Sequence, residues 1–393
     1  MEDILPKNSL WRAEPHIHRI GKCHCGYPVF FRNYLCLHCG RALGYEPGKA
    51  AMLALEVLDN DGNFCMAGAP EGGAAYRRCA NFDLAPQCNW LIPAADRGQH
   101  VLCRCCRLNR TIPDQSIAAN APLWQSVERA KRRLVSSLIA FGLPVASRMD
   151  EDTERGMAFD LLADIEPTPV TTGHFQGIIT VNVNEADDAA REAIRTALHE
   201  PYRTLLGHVR HESGHYYWHR LLEDSKWLEP FRALFGDERD DYAVALQKYY
   251  ANGPSLDWAD KGVSAYASAH PWEDWAETWA HYLHMVDTLD TAMGSGMDGD
   301  HLNLLKDPFE KEVLYRFEGE EDDEDKGDEE FLAFFNAWAG LTSVLNEFSL
   351  GMGLPDFYPF VLSNRAINKL HFVHRFIKSA RVSSDVQPNG VNQ

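Results

Sequence analysis

Beyond Cys106 the chain contains no cysteine at all, although that residue is the tenth. Disulfide staples would be an odd use of such a crowded set, so its placement points to structural metal rather than to an oxidised scaffold. Long apolar runs are missing too. No stretch approaches the roughly 18 residues that a membrane helix needs, which excludes a helical span. Basic charge is scarce: 38 Lys and Arg stand against 57 Asp and Glu, for a net charge of −19. With a pI near 5.3, bulk electrostatics disfavour nucleic acid as a partner, a local basic patch being the one exception. The opening Met1-Glu2-Asp3-Ile4-Leu5-Pro6 has neither the basic start nor the apolar core of an export signal. These absences together predict a soluble, cytoplasmic protein, and 393 residues leave room for two or three domains with cores of their own.

What is present is more specific. His211-Glu212-Ser213-Gly214-His215 places two histidines one helical turn apart, on one face, where both imidazoles reach a single zinc ion. Glu212, beside the first of them, is placed to take a proton from a zinc-activated water rather than to bind the metal. Tyr202 to Leu206 and Tyr216 to Leu222 contain no proline, as a continuous buried helix requires. Gly214 is costly in a helix interior and so marks a place where substrate or a neighbouring backbone comes close.

A catalytic zinc needs a third protein ligand and an open position. His219 lies about 12 Å from His211 along a helix axis, too far to share an ion. The third histidine of the extended motif would fall at position 221, which is Leu. The ligand is therefore expected from Pro271-Trp272-Glu273-Asp274-Trp275-Ala276-Glu277-Thr278-Trp279-Ala280-His281, where proline and acidic residues suit a helix N-terminus. Glu273 is assigned as the ligand, and Glu277, four residues on, as the acceptor that orients a ligand histidine. A solvated acidic face is the plainer alternative, and Trp272, Trp275 and Trp279 argue against it. Tyr266, or failing that His270, is the candidate to hold a developing oxyanion. His208, His281 and His284 read as packing or surface residues.

The cysteines fall into knuckles. Cys36-Leu37-His38-Cys39-Gly40 and Cys23-His24-Cys25-Gly26 offer four thiolates for one tetrahedral site, with His16, His18 or His24 as possible substitutes. Cys79, Cys88, Cys103 and Cys106 can build a second site, with Cys105 the alternative donor and Cys65 a small buried hydrophobe.

Elsewhere, Pro122 to Leu143 reads as an amphipathic helix with a basic face of Arg129, Lys131, Arg132 and Arg133, solvated or else facing an acidic partner or lipid headgroups. Phe159 to Asp164 and Gly177 to Val183 read as strands; the likeness of His211 to His215 to the zincin motif implies that Ile178 to Val183 lies at a sheet edge, where it could pair with extended substrate. Helices are expected at about 227–235, 238–252, 271–293, 329–350 and 363–380. Glu318 to Glu330 holds ten carboxylates against Lys326 alone and reads as a solvated, mobile loop. The polar tail is expected to be disordered.

These residues resemble the bacterial family known as putative zinc-binding metallo-peptidases, whose members carry an N-terminal zinc ribbon. The likeness rests on Cys36 to Tyr45, Arg78-Cys79-Ala80-Asn81, Cys88 to Pro93, Leu102 to Pro113, His208 to His215 and Trp272 to Glu277, and it spans roughly residues 20 to 380. Where that family's first ribbon begins C-x-x-C, Lys22 stands here in place of the first cysteine and Cys23 comes one residue late. The spacing Tyr266, Glu273, Glu277 is also similar to the zinc-binding helix of lethal-factor-type gluzincins. The resemblance implies peptidase activity on a peptide or protein substrate, without naming one.

The resulting expectation is an α+β chain in four parts: an N-terminal extension (1–20), a double zinc-ribbon module (21–110), a mostly helical zincin-like domain with a small β-sheet (111–380) and a tail (381–393). One catalytic and one or two structural Zn2+ ions are implied, with the ribbons available to a protein partner. The competing reading is a non-catalytic binding or regulatory protein that uses the zincin fold as a scaffold. An intact Glu212 favours catalysis, because a scaffold needs the histidines but not the base.

Overall fold

The computed structural model describes residues 17–96, 100–164, 169–197, 203–297, 309–315 and 324–381. His16, the first part of the acidic run and nearly all of the expected tail lie outside them. The chain forms two compact units, one of residues 16–140 and 144–194, the other of 141–143 and the chain from 195 onward. The architecture is mixed α+β, strand-rich at the N-terminal end and helical beyond.

In the first unit, β1 (Ile20–Lys22) and β2 (Pro28–Phe30) form an antiparallel pair beside the first cysteine knuckle. Next comes an antiparallel sheet of β3 (Leu43–Glu46), β4 (Ala51–Val57), β5 (Phe64–Met66), β6 (Ala75–Arg78) and β7 (Leu91–Pro93), in chain order. Leu53, Leu55, Tyr76 and Leu91 pack together on it. Cys65, expected to be buried, is partly exposed on β5, its thiol directed at the Glu56 carbonyl.

The long helix α1 (Asn120–Ala140) buries Trp124, Val127, Leu134 and Leu138. Its basic residues do not make the expected open face. Lys131 is fully buried and paired with the equally buried Glu128 at 2.9 Å, and Arg132 is buried with its guanidinium on the Pro86 carbonyl at 3.0 Å. Of the four, Arg129 alone is exposed. Arg19, just before β1, is likewise buried against α1 and donates to Ser136 Oγ (2.6 Å), Ser137 Oγ (2.8 Å) and the Arg133 carbonyl (2.8 Å).

A second sheet has the order β10 (Gly173–Phe175), β11 (Ile178–Asn182), β9 (Ala158–Leu162), β8 (Asn109–Thr111). Both expected strands are present, but β11 is not an edge. It pairs antiparallel with β10 on one side and parallel with β9 on the other, so its backbone groups are already taken and cannot receive an extended peptide.

The second unit is helical: α3 (Leu205–Tyr217), α4 (Leu228–Phe235), α5 (Tyr242–Asn252), α6 (Trp258–Lys261), α7 (Pro271–Gly294), α8 (Glu324–Gly351) and α9 (Asn364–Ser379); α2 (Asp188–Ala197) precedes them. Helix α7 is buried along most of its length. Trp275 on it is enclosed by Phe231, Phe235, Phe372 and Phe376, with ring centroids 5.4–6.3 Å away, a tight aromatic core. A buried ion pair, Asp274 with Lys369, joins α7 to α9.

The acidic run is not a loop throughout. From Glu324 it is helical, because Asp328 meets His371 at 3.1 Å, Glu329 meets Lys311 at 3.0 Å and Glu330 pairs with Lys378. Among the described residues no helix is long and apolar enough to cross a membrane.

Candidate metal centres

Helix α3 starts at Thr204, whose hydroxyl accepts from the Gly207 amide at 2.9 Å, a serine/threonine-type N-cap. From Val209 to Tyr217 every residue is buried, so this helix has no solvent face and its polar groups must find partners inside. Those partners come from α7. Trp275 Nε1 donates to the Gly214 carbonyl at 2.8 Å and Trp279 Nε1 to Ser213 Oγ at 3.0 Å. A Cβ on Gly214 would stand 3.0 Å from Ala276 Cα and 3.2 Å from Trp279 Cβ. Gly214 therefore serves a neighbouring backbone, one of the two uses its place in the motif allowed. At its C-terminal end α3 widens into a π-type turn, Trp218–Leu222, that turns His219 out to pair with Glu223 at 2.9 Å.

This packing sets three donors against one another. His211 Nε2 and His215 Nε2 are 3.1 Å apart; Glu273 Oε2 is 3.0 Å from the first and Glu273 Oε1 3.5 Å from the second. Zinc bonds of about 2.0–2.1 Å in a tetrahedron give ligand separations of about 3.3 Å, close to these. Glu277 Oε1 lies 2.7 Å from His211 Nδ1, and Glu277 Oε2 accepts from Ser264 Oγ at 2.6 Å. A carboxylate facing Nδ1 accepts a hydrogen bond from the proton on that nitrogen, so the neutral ring carries its lone pair on Nε2. Two imidazole Nε2 atoms and a carboxylate thus face a common point, which suits a cation. His215 is oriented by packing, its ring 4.0 Å from that of Trp272.

Electrostatics agree. Burial opposes charge on His211, yet the carboxylates of Glu273 and Glu277 hold its pKa well above the ordinary imidazole range. Burial likewise opposes charge on both carboxylates. His215 and His211 nonetheless hold Glu273 well below the usual range, and His211 pulls Glu277 down to about 2. The pocket is thus poised for net positive charge at its centre, which a divalent cation supplies without protons.

The cysteine sets are equally compact. Cys23, Cys25, Cys36 and Cys39 form one group and Cys79, Cys88, Cys103 and Cys106 another, each with all ligand atoms within 4.8 Å of one another. Sulfur separations are 3.7 Å (Cys23 and Cys39), 3.8 Å (Cys25 and Cys36) and 3.6 Å (Cys88 and Cys103). Four thiolates at about 2.3 Å from zinc stand about 3.8 Å apart, whereas a disulfide requires about 2.05 Å. Gly26 and Gly40, with φ of 86° and 71°, close the two knuckles of the first set in a conformation that favours glycine. Lys22 in place of a cysteine is thus accommodated by the C-x-C pair. Cys105 is buried beside the second set but outside it.

A family model described as "Putative zinc-binding metallo-peptidase" matches residues 120–376, and a zinc-ribbon domain model matches residues 21–117. The chain belongs to this metallo-peptidase family. It is similar to uncharacterized proteins of Mycobacterium bovis and of two Mycobacterium tuberculosis strains, 40% identical over 366 residues that cover 93% of this chain and 96% of each relative. No solved structure matches the chain at a significant level.

Within this member of the family, the remaining expected site residues are placed as follows. Tyr266 lies with its ring 6.0 Å from that of His211, its hydroxyl bonded to Tyr250. His270, the alternative, caps α7: its Nδ1 accepts from the Trp272 amide and its Nε2 meets the Asp240 carbonyl, so neither nitrogen is available for an oxyanion. His284 binds Arg210 at 2.7 Å. His208 is more than packing, with Nε2 3.6 Å from Glu212 Oε1. Its position four residues before Glu212 was a readable signal. Ser264 and Tyr242, whose hydroxyl donates to Glu273 Oε1 at 2.7 Å, carried no such signal.

His281, one turn beyond Glu277, is buried with Nδ1 2.5 Å from the Tyr358 hydroxyl. Burial lowers its pKa from 6.5 to about 4 against the pull of Glu277. Below pH 6.5 the unfolded chain takes up a proton that the folded one refuses. The stability due to neutral His281 is therefore complete above pH 6.5 and falls as the pH drops towards 4, by about 3 kcal/mol in all. Urea midpoints of the second unit's transition, read in metal-free full-length protein between pH 6.5 and 4.5, should fall more steeply for the wild type than for His281→Gln. Equal slopes would contradict this.

Proposed function

We propose that this chain is a zinc-dependent peptidase with His211, His215 and Glu273 as the ligands of its catalytic metal and Glu212 as general base. The observation that carries this reading is that three buried donors converge at zinc-like spacings while Glu212, equally buried in the same helix, stays outside the set. Bound zinc would supply Lewis acidity, polarising a peptide carbonyl and acidifying a water. Glu212 accepts the proton of the attacking water and hands it to the leaving amine. Tyr266, beside His211, steadies the oxyanion, which requires its hydroxyl to leave Tyr250 when substrate binds. Glu277 keeps His211 in the tautomer that exposes Nε2, and Ser264 keeps Glu277 in place. The substrates are peptides or proteins in the cytoplasm. The two cysteine sets hold structural zinc, and the ribbon module is available to a protein partner.

The test has two parts. Metal counting is expected to give three zinc ions per chain for the wild type and two for Glu273→Ala. An unbiased peptide library is expected to be cleaved by the zinc-loaded wild type. Full zinc in Glu273→Ala would overturn the ligand assignment. A zinc-loaded wild type that cleaves nothing in the library would favour the scaffold reading.

A further inference from the structure

The geometry around Glu273 points to a residue outside the motif: we propose that Tyr242 is a positioning residue that holds Glu273 as a one-oxygen ligand and couples helix α5 to the metal centre. This rests on the zinc reading above and extends it to how the site is kept open.

The two oxygens of Glu273 have different surroundings. Oε2 faces His211 Nε2 at 3.0 Å. Oε1, at 3.5 Å from His215 Nε2, receives the Tyr242 hydroxyl at 2.7 Å. A hydrogen bond to an ionised carboxylate is among the stronger ones and carries a directional demand. With Oε1 held by the phenol, swinging the carboxylate to offer both oxygens to one ion would break that bond. A two-oxygen carboxylate would also occupy the position that a catalytic site must leave for water or substrate. The aim of the phenol is set by its ring, which lies edge-on between His270 (centroids 5.2 Å, 84°) and Trp272 (5.6 Å, 78°) at the start of α7. The ligand and the group that orients it are therefore positioned by the same turn of helix.

Tyr242 is also the first residue of α5, a helix of unusual character. Tyr, Ala, Val and Leu make up most of its sequence, yet none of its residues is buried. It runs from Asp241, whose carboxylate caps it at the Val244 amide (3.0 Å), to Gly253 at φ 76°, and Gly236 at φ 113° precedes it. A helix with so little burial is held by a few anchoring contacts rather than by a core. The bond from Tyr242 to Glu273 and the edge contact of Tyr249 with Tyr266 (5.6 Å) are such anchors, and both lead to the candidate site. Filling the metal position fixes Glu273, and through Tyr242 it fixes the N-terminus of α5.

The test uses full-length protein and the variant Tyr242→Phe, which keeps the ring and removes one oxygen. Zinc affinity at the His211 site, measured by chelator competition, is expected to fall ten- to a hundredfold, the usual range for losing a partner of a metal ligand. With cobalt at that site and zinc in the ribbons, the variant's visible absorption should weaken as the carboxylate turns to give both oxygens. Adding zinc should slow amide exchange along α5 in the wild type and not in the variant. Tyr249→Phe, which leaves Glu273 untouched, should keep the wild-type affinity and cobalt spectrum. Unchanged affinity, unchanged cobalt spectrum and a persisting zinc response of α5 in Tyr242→Phe would overturn the inference. A wild type that takes up no ion sensitive to His211→Ala would overturn the zinc reading itself, a distinct result that removes the basis of this one.

Discussion

Replacing Glu212 by glutamine is expected to lower turnover of a cleavable peptide about a thousandfold while leaving the zinc content of the protein unchanged. General-base catalysis by a positioned carboxylate contributes about 10²–10⁴-fold, so a thousandfold loss corresponds to roughly 4 kcal/mol of transition-state stabilisation. The second half of the expectation follows from the geometry. The proposed ligands are His211, His215 and Glu273, whose ligand atoms converge, and Glu212 instead faces His208. Glutamine matches the shape and keeps an acceptor oxygen, but it cannot take a proton at neutral pH. The measurements are single-turnover cleavage and metal counting on the same preparation. A variant that cleaves at the wild-type rate would remove Glu212 from the mechanism. A variant that lost its zinc as well would show that Glu212 supports the ligand set, and the activity loss would then say nothing about proton transfer.

The largest effect on stability is expected at the second cysteine set. Cys79, Cys88, Cys103 and Cys106 are each about 1% exposed or less, and burial together with the neighbouring thiols pushes the Cys103 thiol well up. Four thiolates can share such a place only around a cation, and Lys131 and Arg132 on α1 lie close enough to offset the excess negative charge. Metal binding at structural sites of this kind is worth about 10–16 kcal/mol in small peptides, an amount that exceeds the net stability of most domains. Cys103→Ser should therefore lose one zinc and abolish cooperative unfolding of the first unit. The first set differs in exposure: Cys25 and Cys39 are open to solvent while Cys23 and Cys36 are buried. A chelator with a colour indicator should accordingly release thiolate-bound zinc in two phases, the Cys23 set first. Release in one phase, or a Cys103→Ser protein that keeps its zinc and its thermal midpoint, would contradict this account.

What was readable along the chain follows a single pattern. His211, Glu212 and His215 could be placed because a helix repeats every 3.6 residues, and Glu273 with Glu277 for the same reason. The knuckles at Cys23 to Cys25 and Cys36 to Cys39 could be paired because tight turns bring thiols together locally. Even so, the pairing of the two helices was an inference from chemistry, namely the need for a third ligand. The close approach that realises it depends on Gly214 facing Ala276, which neither helix records alone.

Local pattern misled where burial came from elsewhere in the chain. The basic residues of α1 looked like an open face because, although Glu128 stands one turn before Lys131, nothing nearby shows that this pair would be buried or that the Pro86 carbonyl would receive Arg132. The strand Ile178–Asn182 was expected at an edge by likeness to zincins, and nothing within it announces β10. His208 reads as a packing or surface residue although its spacing to Glu212 is plain.

The sequence by itself determined which donors this protein has and which of them sit one turn or one knuckle apart, since those relations are fixed by backbone geometry over a few residues. Only the tertiary structure decided which distant hydroxyls meet them, Tyr242 at Glu273 and Ser264 at Glu277. A hydrogen bond between separate segments is set by how whole helices pack, and no periodicity within either segment encodes it.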